Sequence, residues 1–193
     1  MTLEKIRENN ISYAVQIQSE LFPGESARRN YEESLEVTSP FEYYLLYEDG
    51  KCVGITGIYC YPEYPDSAWL GWFGIREGFR RKRLGSEALA MFEETAASRG
   101  FRFARLYTDA ENNDAAIAFY KSNGYSCESY QTPEDPACMK YKTLIFSKSL
   151  TSEELVPWNN RNIHLTEQIA KQNASGSQKS DFSSPTNKES LHS

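Results

Sequence analysis

The residues with the clearest chemical meaning form a dense basic run that leads directly into a helical sequence. The run consists of Arg80, Arg81, Lys82 and Arg83, and an amphipathic helical pattern begins at Leu84. The first N–H groups of a helix have no partner within the helix, and the helix dipole makes this end positive. Together with the basic side chains, such an end predicts a site for a phosphate or pyrophosphate group.

The residues around this run leave its function open. Gly85, in the first turn of the predicted helix, would let an anion approach the backbone without meeting a Cβ atom. The G-K-[S/T] triplet of a Walker-type phosphate loop is absent from the sequence. Runs of charge are more often solvated surfaces or nucleic-acid-binding patches, so the basic run alone does not separate these interpretations.

A second motif, in NNDAAIAFYKSNGY, favours the anion site. Its informative residues are Asn113, Ala116, Tyr120 and the pair Gly124-Tyr125. With the basic run before it and a predicted strand between the two, the sequence resembles the GCN5-related N-acetyltransferase (GNAT) superfamily over most of residues 1–150. In that family a pyrophosphate loop reads [Q/R]-x-x-G-x-[G/A], and a later helix reads N-x-x-A-x-x-x-Y and ends at G-[FY].

One position departs from the family pattern. The loop motif corresponds to residues 80–85, and Arg83 stands where the family has its inner glycine. A positive φ at this position would strain an arginine by about 1–2 kcal/mol. We therefore expect a negative φ at Arg83, which would place an additional cation beside the phosphates.

The resemblance implies an enzyme that transfers an acetyl group from acetyl-CoA to an amine by direct attack in a ternary complex. It implies that Tyr120 protonates the departing thiolate, although a tyrosine beside Phe119 could also be only a buried aromatic residue. It further implies that a backbone N–H near Phe73–Ile75 binds the thioester carbonyl and that Asn113 lies near the pantetheine arm. The implied coenzyme-binding residues are Phe73, Gly74, Ile75, Arg80, Arg81, Lys82, Arg83, Leu84, Gly85, Ser86, Asn113, Ala116 and Tyr120.

The group that deprotonates the amine is harder to identify. A free alkylamine has a pKa of about 10.4, so attack requires a base. Both histidines, His164 and His192, lie far along the chain, which leaves a carboxylate or a chain of waters. Asp66 and Glu42 are the candidates, because the strands that they precede should border the acceptor cleft. Other residues of the first helix pair and the hairpin would suit a cationic amine: Glu20, Glu25, Glu32, Glu33, Tyr43, Tyr44 and Tyr59.

Two other functions remain open from the sequence. A nucleic-acid-binding module would use the basic run, but the net charge of −6 opposes it, and we expect no nucleic-acid partner. A domain of the same fold that binds coenzyme A without catalysis would act as a sensor or partner module. The sequence does not decide between a small-molecule and a protein amine as acceptor, or between a monomer and a homodimer.

The composition indicates the cellular location and whether a metal site is to be expected. Of 193 residues, 39% are hydrophobic and 13% aromatic, which is enough for one well-packed domain. No apolar run approaches the roughly 18–20 residues of a membrane span, and the first residues lack the apolar core of a secretory signal. We therefore expect a cytoplasmic protein without a membrane partner. The four cysteines are widely spaced, and we expect no metal site.

Hydrophobic periodicity predicts an α/β fold, with a mixed and, as the resemblance implies, largely antiparallel GNAT-like sheet flanked by helices on both faces. Residues 1–150 form the predicted acyltransferase domain. Residues 151–193 form a polar extension that is partly disordered from Asn173 on and could dock through Leu155, Trp158 and Ile163. The predicted strands are a short opening strand near 3–6 and segments 42–48, 51–60, 68–76, 102–108, 125–130 and 141–150. Within 68–76, Gly71 and Gly74 would weaken an ordinary strand and indicate either a bulge or a close approach to the backbone. The predicted helices are 11–22, a second one capped by Ser26 and running through Leu35, 84–98 and 113–123.

Overall fold

An eight-stranded sheet forms the centre of the protein. The computed structural model describes residues 1–177. The strands are β1 (Thr2–Lys5), β2 (Phe41–Glu48), β3 (Lys51–Tyr59), β4 (Ser67–Leu70), β5 (Gly74–Ile75), β6 (Phe103–Asp109), β7 (Ser126–Ser129) and β8 (Thr143–Ser149). The helices are α1 (Ile11–Leu21), α2 (Arg28–Glu33), α3 (Leu84–Ser98), α4 (Asp114–Ser122), α5 (Ala137–Lys140) and α6 (Leu165–Ser177).

The sheet is mixed and largely antiparallel, which confirms the predicted fold class. Its strand order is β1-β2-β3-β4-β6-β8-β7, and β5 also pairs with β3. All pairs are antiparallel except β4 with β6. The predicted hairpin is present: Asp49 and Gly50 both have positive φ, as a two-residue loop of type I′ requires.

Neighbouring residues of a strand point to opposite faces of the sheet, and their contacts show which helices cover each face. On β2, Leu45 packs in the cluster of α1 and α2, whereas its neighbour Leu46 packs against Leu84 and Ala88 of α3. On β6, Leu106 contacts the cluster of α3 and α4. Helices α3 and α4 therefore cover one face, and α1 and α2 cover the other. The predicted placement of helices on both faces is confirmed.

The predicted continuous strand 68–76 is interrupted at residues 71–73. Trp72 has a φ of 43°, which turns the chain out of the strand before β5 returns to β3. Small residues make this bulge possible, because a Cβ atom at Gly57 would lie 2.3 Å from the Tyr43 ring and 2.9 Å from the Gly71 carbonyl oxygen. A continuous strand over 68–76 was therefore wrong, whereas the bulge that Gly71 and Gly74 indicated in the sequence is present.

The bulge opens a gap in the middle of the sheet. Strands β4 and β6 pair only where residues 67–69 face residues 103–105. Beyond that point β5 stays with β3, whereas β6 stays with β8 as far as Asp109. The carboxyl ends of two neighbouring strands thus diverge, and in open α/β sheets such a crevice is a common place for a ligand.

The segment after Leu150 packs on the same face as α1 and α2. Trp158 and Ile163 are fully buried, whereas Leu155 is only partly buried. Helix α6 continues to Ser177, beyond Asn173, where we predicted the disordered tail to begin. The rest of that predicted tail, residues 178–193, lies outside the described residues.

Some element boundaries differ from the prediction. Helix α2 begins at Arg28 after Ala27, and no side chain caps it, so the predicted cap at Ser26 was wrong. The predicted turn between the last two strands contains the short helix α5. No helix within residues 1–177 has the length and apolar character needed to cross a membrane.

Candidate active site

The amino end of α3 presents a row of unpaired backbone donors. Within the described part of the chain, the N–H groups of residues 81–86 have no hydrogen-bond acceptor, and the first bond runs from the N–H of Glu87 to the carbonyl of Arg83. No side chain caps this helix. Ser86 is exposed in the first turn and leaves the approach to the donors open. These groups can bind an anion in the way that the sequence predicted.

The basic side chains of the loop differ in what they can offer to an anion. Arg81, Lys82 and Arg83 are exposed and form no ion pair with any residue in 1–177. Arg80 is also exposed, but its Nε donates to the carbonyl oxygen of Ile75 over 2.8 Å and ties the loop to β5. Arg76 bonds to the Glu20 carboxylate and the Cys52 carbonyl, so it supports the loop.

The backbone at Arg83 overturns the expected negative φ. Arg83 has a φ of 65°, and Arg81, two residues earlier, has a φ of 63°. The chain turns twice into the left-handed region, which directs successive N–H groups toward the same concave side. Arginine at such a position is strained by about 1–2 kcal/mol, which explains why a glycine suits it.

Gly85 has a second role that the sequence did not show. A Cβ atom there would lie 3.4 Å from the Phe119 ring and 3.8 Å from the side chain of Ile75. Glycine therefore keeps open the space between the first turn of α3, helix α4 and β5. Leu84 beside it is buried against the sheet and fixes the start of the helix.

The bulge places further unpaired donors next to α4. The N–H groups of Trp72 and Phe73 have no hydrogen-bond partner within residues 1–177. The Phe73 ring stacks on Phe119 at 6.1 Å and lies 6.5 Å from the Tyr120 ring. The structure thus brings together two parts of the predicted site, the backbone of 73–75 and the helix that carries Tyr120.

Tyr120 lies in an apolar environment. Its side chain is 8% exposed and contacts the rings of Phe119, Tyr125 and Phe146. Burial raises the pKa of Tyr120 well above its ordinary value, so the phenol stays protonated at neutral pH. Its hydroxyl forms no hydrogen bond with any described residue, which leaves its proton available to a ligand.

The other motif residues of α4 define the wall of the gap. Asn113 precedes the helix, and its Nδ2 donates to the carbonyl oxygen of Asp109 over 3.1 Å, which fixes the turn from β6 to α4. Ala116 packs against the cluster shared by α3 and α4. Its side chain is half-buried there.

The two predicted bases lie away from the gap. Glu42 bonds to Arg99, which ends α3, whereas the gap lies near the start of this 15-residue helix, about 22 Å away. Burial would raise the pKa of Glu42, but hydrogen bonds from Arg99, Tyr44 and Lys5 lower it to about 2. The backbone carbonyl of Asp66 accepts from Arg102 and Phe103 at the opposite end of β6 from the gap. Neither carboxylate is brought near Tyr120.

Two other carboxylates lie at the gap. Asp109 ends β6, on the face of the sheet that carries α1 and α2, and Glu25 lies in the turn between those helices. Burial raises the pKa of the half-buried Asp109, and Glu111 raises it further. Glu25 is largely exposed, and its pKa is raised by partial desolvation of its carboxylate and by the charge of Asp109. Glu25 stood among the acidic residues that the sequence associated with a cationic amine, but Asp109 was missed. Its position at the carboxyl end of a central strand was the available signal.

Within residues 1–177, no group of three or more His, Cys, Asp or Glu side chains is arranged to hold an ion.

Comparison with known proteins identifies the family. The sequence model of the Acetyltransferase (GNAT) family matches residues 11–125. The chain is 25% identical over 131 residues to the uncharacterized N-acetyltransferase YdgE of Bacillus subtilis (strain 168), covering 65% of this chain and 82% of the relative.

Solved structures share the fold. The ribosomal-protein-S18-alanine N-acetyltransferase of Escherichia coli matches with a TM-score of 0.60 at 17% identity, over 81% of this chain and 98% of that one. The PaiA N-acetyltransferase of Thermoplasma acidophilum, solved in complex with coenzyme A, matches with a TM-score of 0.58 at 16% identity, over 77% and 99%. With its family match, its split sheet and its row of free N–H groups, the chain belongs to the GNAT family of acetyl-CoA-dependent N-acyltransferases.

Proposed function

We propose that this protein transfers an acetyl group from acetyl-CoA to the amine of a small molecule or protein, by direct attack within a ternary complex. One observation carries the proposal. The free N–H groups at the start of α3, the free N–H groups of the bulge and the phenol of Tyr120 all border the gap between β5 and β6. A ligand with an anionic end and a carbonyl end can contact them in this order.

The coenzyme occupies the face covered by α3 and α4. Its pyrophosphate binds the N–H groups of residues 81–86, with the side chains of Arg81, Lys82 and Arg83 adding charge. The pantetheine arm lies in the space that Gly85 keeps open, beside Ala116 and the turn fixed by Asn113. The thioester then reaches the gap in the sheet, where the acceptor on the opposite face can meet it.

Acetyl transfer requires that negative charge on the thioester oxygen be stabilised. The amine nitrogen attacks the carbonyl carbon, and the N–H of Phe73 or its bulge neighbour Trp72 donates to the developing oxyanion. When the C–S bond breaks, the thiolate receives a proton from Tyr120. The apolar surroundings keep this phenol protonated before the reaction and disfavour the phenolate afterwards, so Tyr120 regains a proton at the end of the cycle.

The acceptor cleft on the other face supplies the base. Asp109 and Glu25 have raised pKa values and lie where an ammonium ion would enter. A carboxylate with a raised pKa is a better base than a surface carboxylate, because its pKa is closer to neutral pH. Only the ionised form accepts the proton, so we expect the rate to fall as the pH drops through these raised values. In Asp109→Asn this decrease in rate at low pH should be weakened or lost.

Tyr120→Phe tests the catalytic proposal against a coenzyme-binding role without catalysis. We expect kcat to fall by about 10²-fold, with binding of acetyl-CoA by calorimetry changed by less than twofold. Tyr125→Phe is the matched control, because its ring lies 6.0 Å from Tyr120 and its hydroxyl is sealed from solvent. If neither variant changes kcat, Tyr120 is not the acid. Coenzyme binding by a wild type that acetylates no amine would favour the sensor function.

A further inference from the structure

The segment after Leu150 reaches the acceptor side of the gap. It lies outside the part of the chain that matches the GNAT family, residues 11–125, and α6 is its helical part. Ile163, Leu165 and Ile169 of this segment pack in the same cluster as Trp69 and Tyr107. Since Tyr107 lies on β6 beyond the last residue that pairs with β4, this contact is at the open part of the sheet.

The segment is firmly anchored beneath that contact by a buried arginine. Arg105 is fully buried, and its guanidinium donates to Ser67, Ser147 and the carbonyl oxygen of Val156. It also lies 5.0 Å from the ring of Trp158. Removal of the segment would leave a buried charge without two of its contacts, so the segment is an integral part of the fold.

A second set of contacts, separate from those of Arg105, holds the start of α6 in place. One carboxylate oxygen of Asp135 accepts from the N–H of Leu165, and the other accepts from the N–H and hydroxyl of Thr166. Tyr130 donates to the same carboxylate over 2.8 Å. Such a cap supplies acceptors for the free N–H groups of a helix end and holds its first turn in place. Gln168 lies in this first turn, and its N–H bonds to the His164 carbonyl.

All the hydrogen-bonding atoms of the Gln168 amide are used. Its Oε1 accepts from the hydroxyl of Tyr107 over 2.9 Å. Its Nε2 donates to the hydroxyl of Tyr61 over 2.8 Å and to the carbonyl of Ile163 over 2.7 Å. The amide therefore has one orientation, and that orientation fixes where the Tyr107 proton points.

This arrangement has a consequence for the acceptor. A phenol has one proton to donate and lone pairs that can accept. Because the proton of Tyr107 is held by Gln168, its oxygen can only accept a hydrogen bond from a molecule in the cleft. Asp109, two residues further along the same face of β6, can likewise only accept when it is ionised. Burial raises the pKa of Tyr107, and the charges of Glu25, Asp109 and Asp135 raise it further, so the phenol keeps its proton.

We infer that Gln168 is a positioning residue for the acceptor, which orients Tyr107 so that the cleft binds a molecule rich in N–H donors, such as a primary ammonium ion. The inference rests on the proposed function, because it assigns the acceptor to this face. The segment after Leu150 thus forms a wall of the acceptor cleft. It supplies selectivity through a side chain that does not itself touch the reacting atoms.

The test uses the full chain and three amines: spermidine, tyramine and alanine amide. The amine with the highest kcat/KM on the wild type becomes the probe. In Gln168→Leu we expect its KM to rise about 10-fold, with the KM for acetyl-CoA within twofold, because one oriented hydrogen bond is lost. Tyr107→Phe should have a similar effect, and the double variant should be no worse than Tyr107→Phe alone.

A second substitution separates positioning from stability. Gln168→Glu keeps an oxygen for the Tyr107 proton but loses both donors, so it should melt at a lower temperature and yet keep the KM for the amine within about threefold. Gln16→Leu, an exposed glutamine of α1, is the chemically matched control. An unchanged KM for the amine in Gln168→Leu, or additive effects of the two substitutions on this KM in the double variant, would overturn the inference but leave the proposed function standing. A wild type that acetylates none of the three amines contradicts the proposed function, and the inference falls with it.

Discussion

Replacing Gly54 with alanine should impair catalysis out of proportion to stability, because Gly54 lies directly under β5. A Cβ atom at this position would lie 2.1 Å from the carbonyl oxygen of Gly74, 3.1 Å from its carbonyl carbon and 3.2 Å from the Cα of Ile75. All three contacts are with backbone, so no side-chain rotation can relieve them. Alanine must therefore push β5 away from β3.

The size of the displacement follows from the shortest contact. Moving the Gly74 oxygen from 2.1 Å to an ordinary separation of about 3.4 Å requires a shift of about 1.3 Å. Overpacking of this kind costs about 1–3 kcal/mol, which in a domain of this size lowers the melting temperature by roughly 2–12 °C. A 1 Å misplacement of groups that orient a reaction can reduce the rate about 10²-fold. The bulge N–H groups adjoin β5, so we expect kcat to fall by about that factor.

The assay is kcat at saturating acetyl-CoA, measured at least 15 °C below the melting temperature of the variant. Gly78→Ala is the matched control, since nothing lies within 4 Å of its added methyl group, and it should change neither kcat nor stability appreciably. A Gly54→Ala enzyme that melts lower but keeps the wild-type kcat would refute the reasoning. In that case the backbone next to β5 would not be part of the reacting geometry.

Two further predictions concern charged residues. Arg83→Gly should raise the melting temperature by about 1–4 °C, because it removes the strain of a left-handed arginine. It should also weaken acetyl-CoA binding about threefold at low salt and by less at high salt, because a cation is lost. A melting temperature below that of the wild type in calorimetry would contradict the assigned strain. Glu42→Gln should keep kcat within threefold but lose stability near neutral pH. Because the pKa of Glu42 falls to about 2 on folding, its contribution is present above the unfolded value and is lost as the pH drops toward 2. Urea unfolding of both proteins should therefore show a difference at pH 6 that vanishes near pH 2, and a constant difference would count against the assigned ion pair.

Local signals in the sequence predicted most of the fold. Asp49-Gly50 predicted a hairpin whose two φ values are positive, and the helical period from Leu84 to Ser98 predicted the bounds of α3. Gly124 has the positive φ expected after a helix. Each of these features depends on residues a few positions apart, which explains why a single sequence reveals them.

Contacts over long separations in the chain were not predictable in the same way. At the break, the Tyr43 ring of β2 lies against Gly57 of β3 and against Gly71 of the bulge, residues far apart in the chain. Asp66 directly precedes β4 and Glu42 lies near the start of β2, both in the central sheet, but a strand has two ends. Only the parallel register of β4 with β6 shows that Asp66 lies at the closed end and Asp109 at the open one.

The two halves of the site differ in how readily a sequence reveals them, for a physical reason. An anion is bound by backbone N–H groups that converge within one short loop, so the coenzyme side requires a compact motif, here residues 80–86. In the proposed acceptor cleft, the oxygen atoms that would bind an amine come from side chains that the fold assembles: Glu25 from the turn between α1 and α2, and Tyr107 and Asp109 from β6, with Gln168 of α6 orienting Tyr107. No short motif can encode four residues spread over more than 140 positions. The residues that indicate the family therefore lie in the coenzyme half, whereas the proposed acceptor half includes a segment beyond the family match.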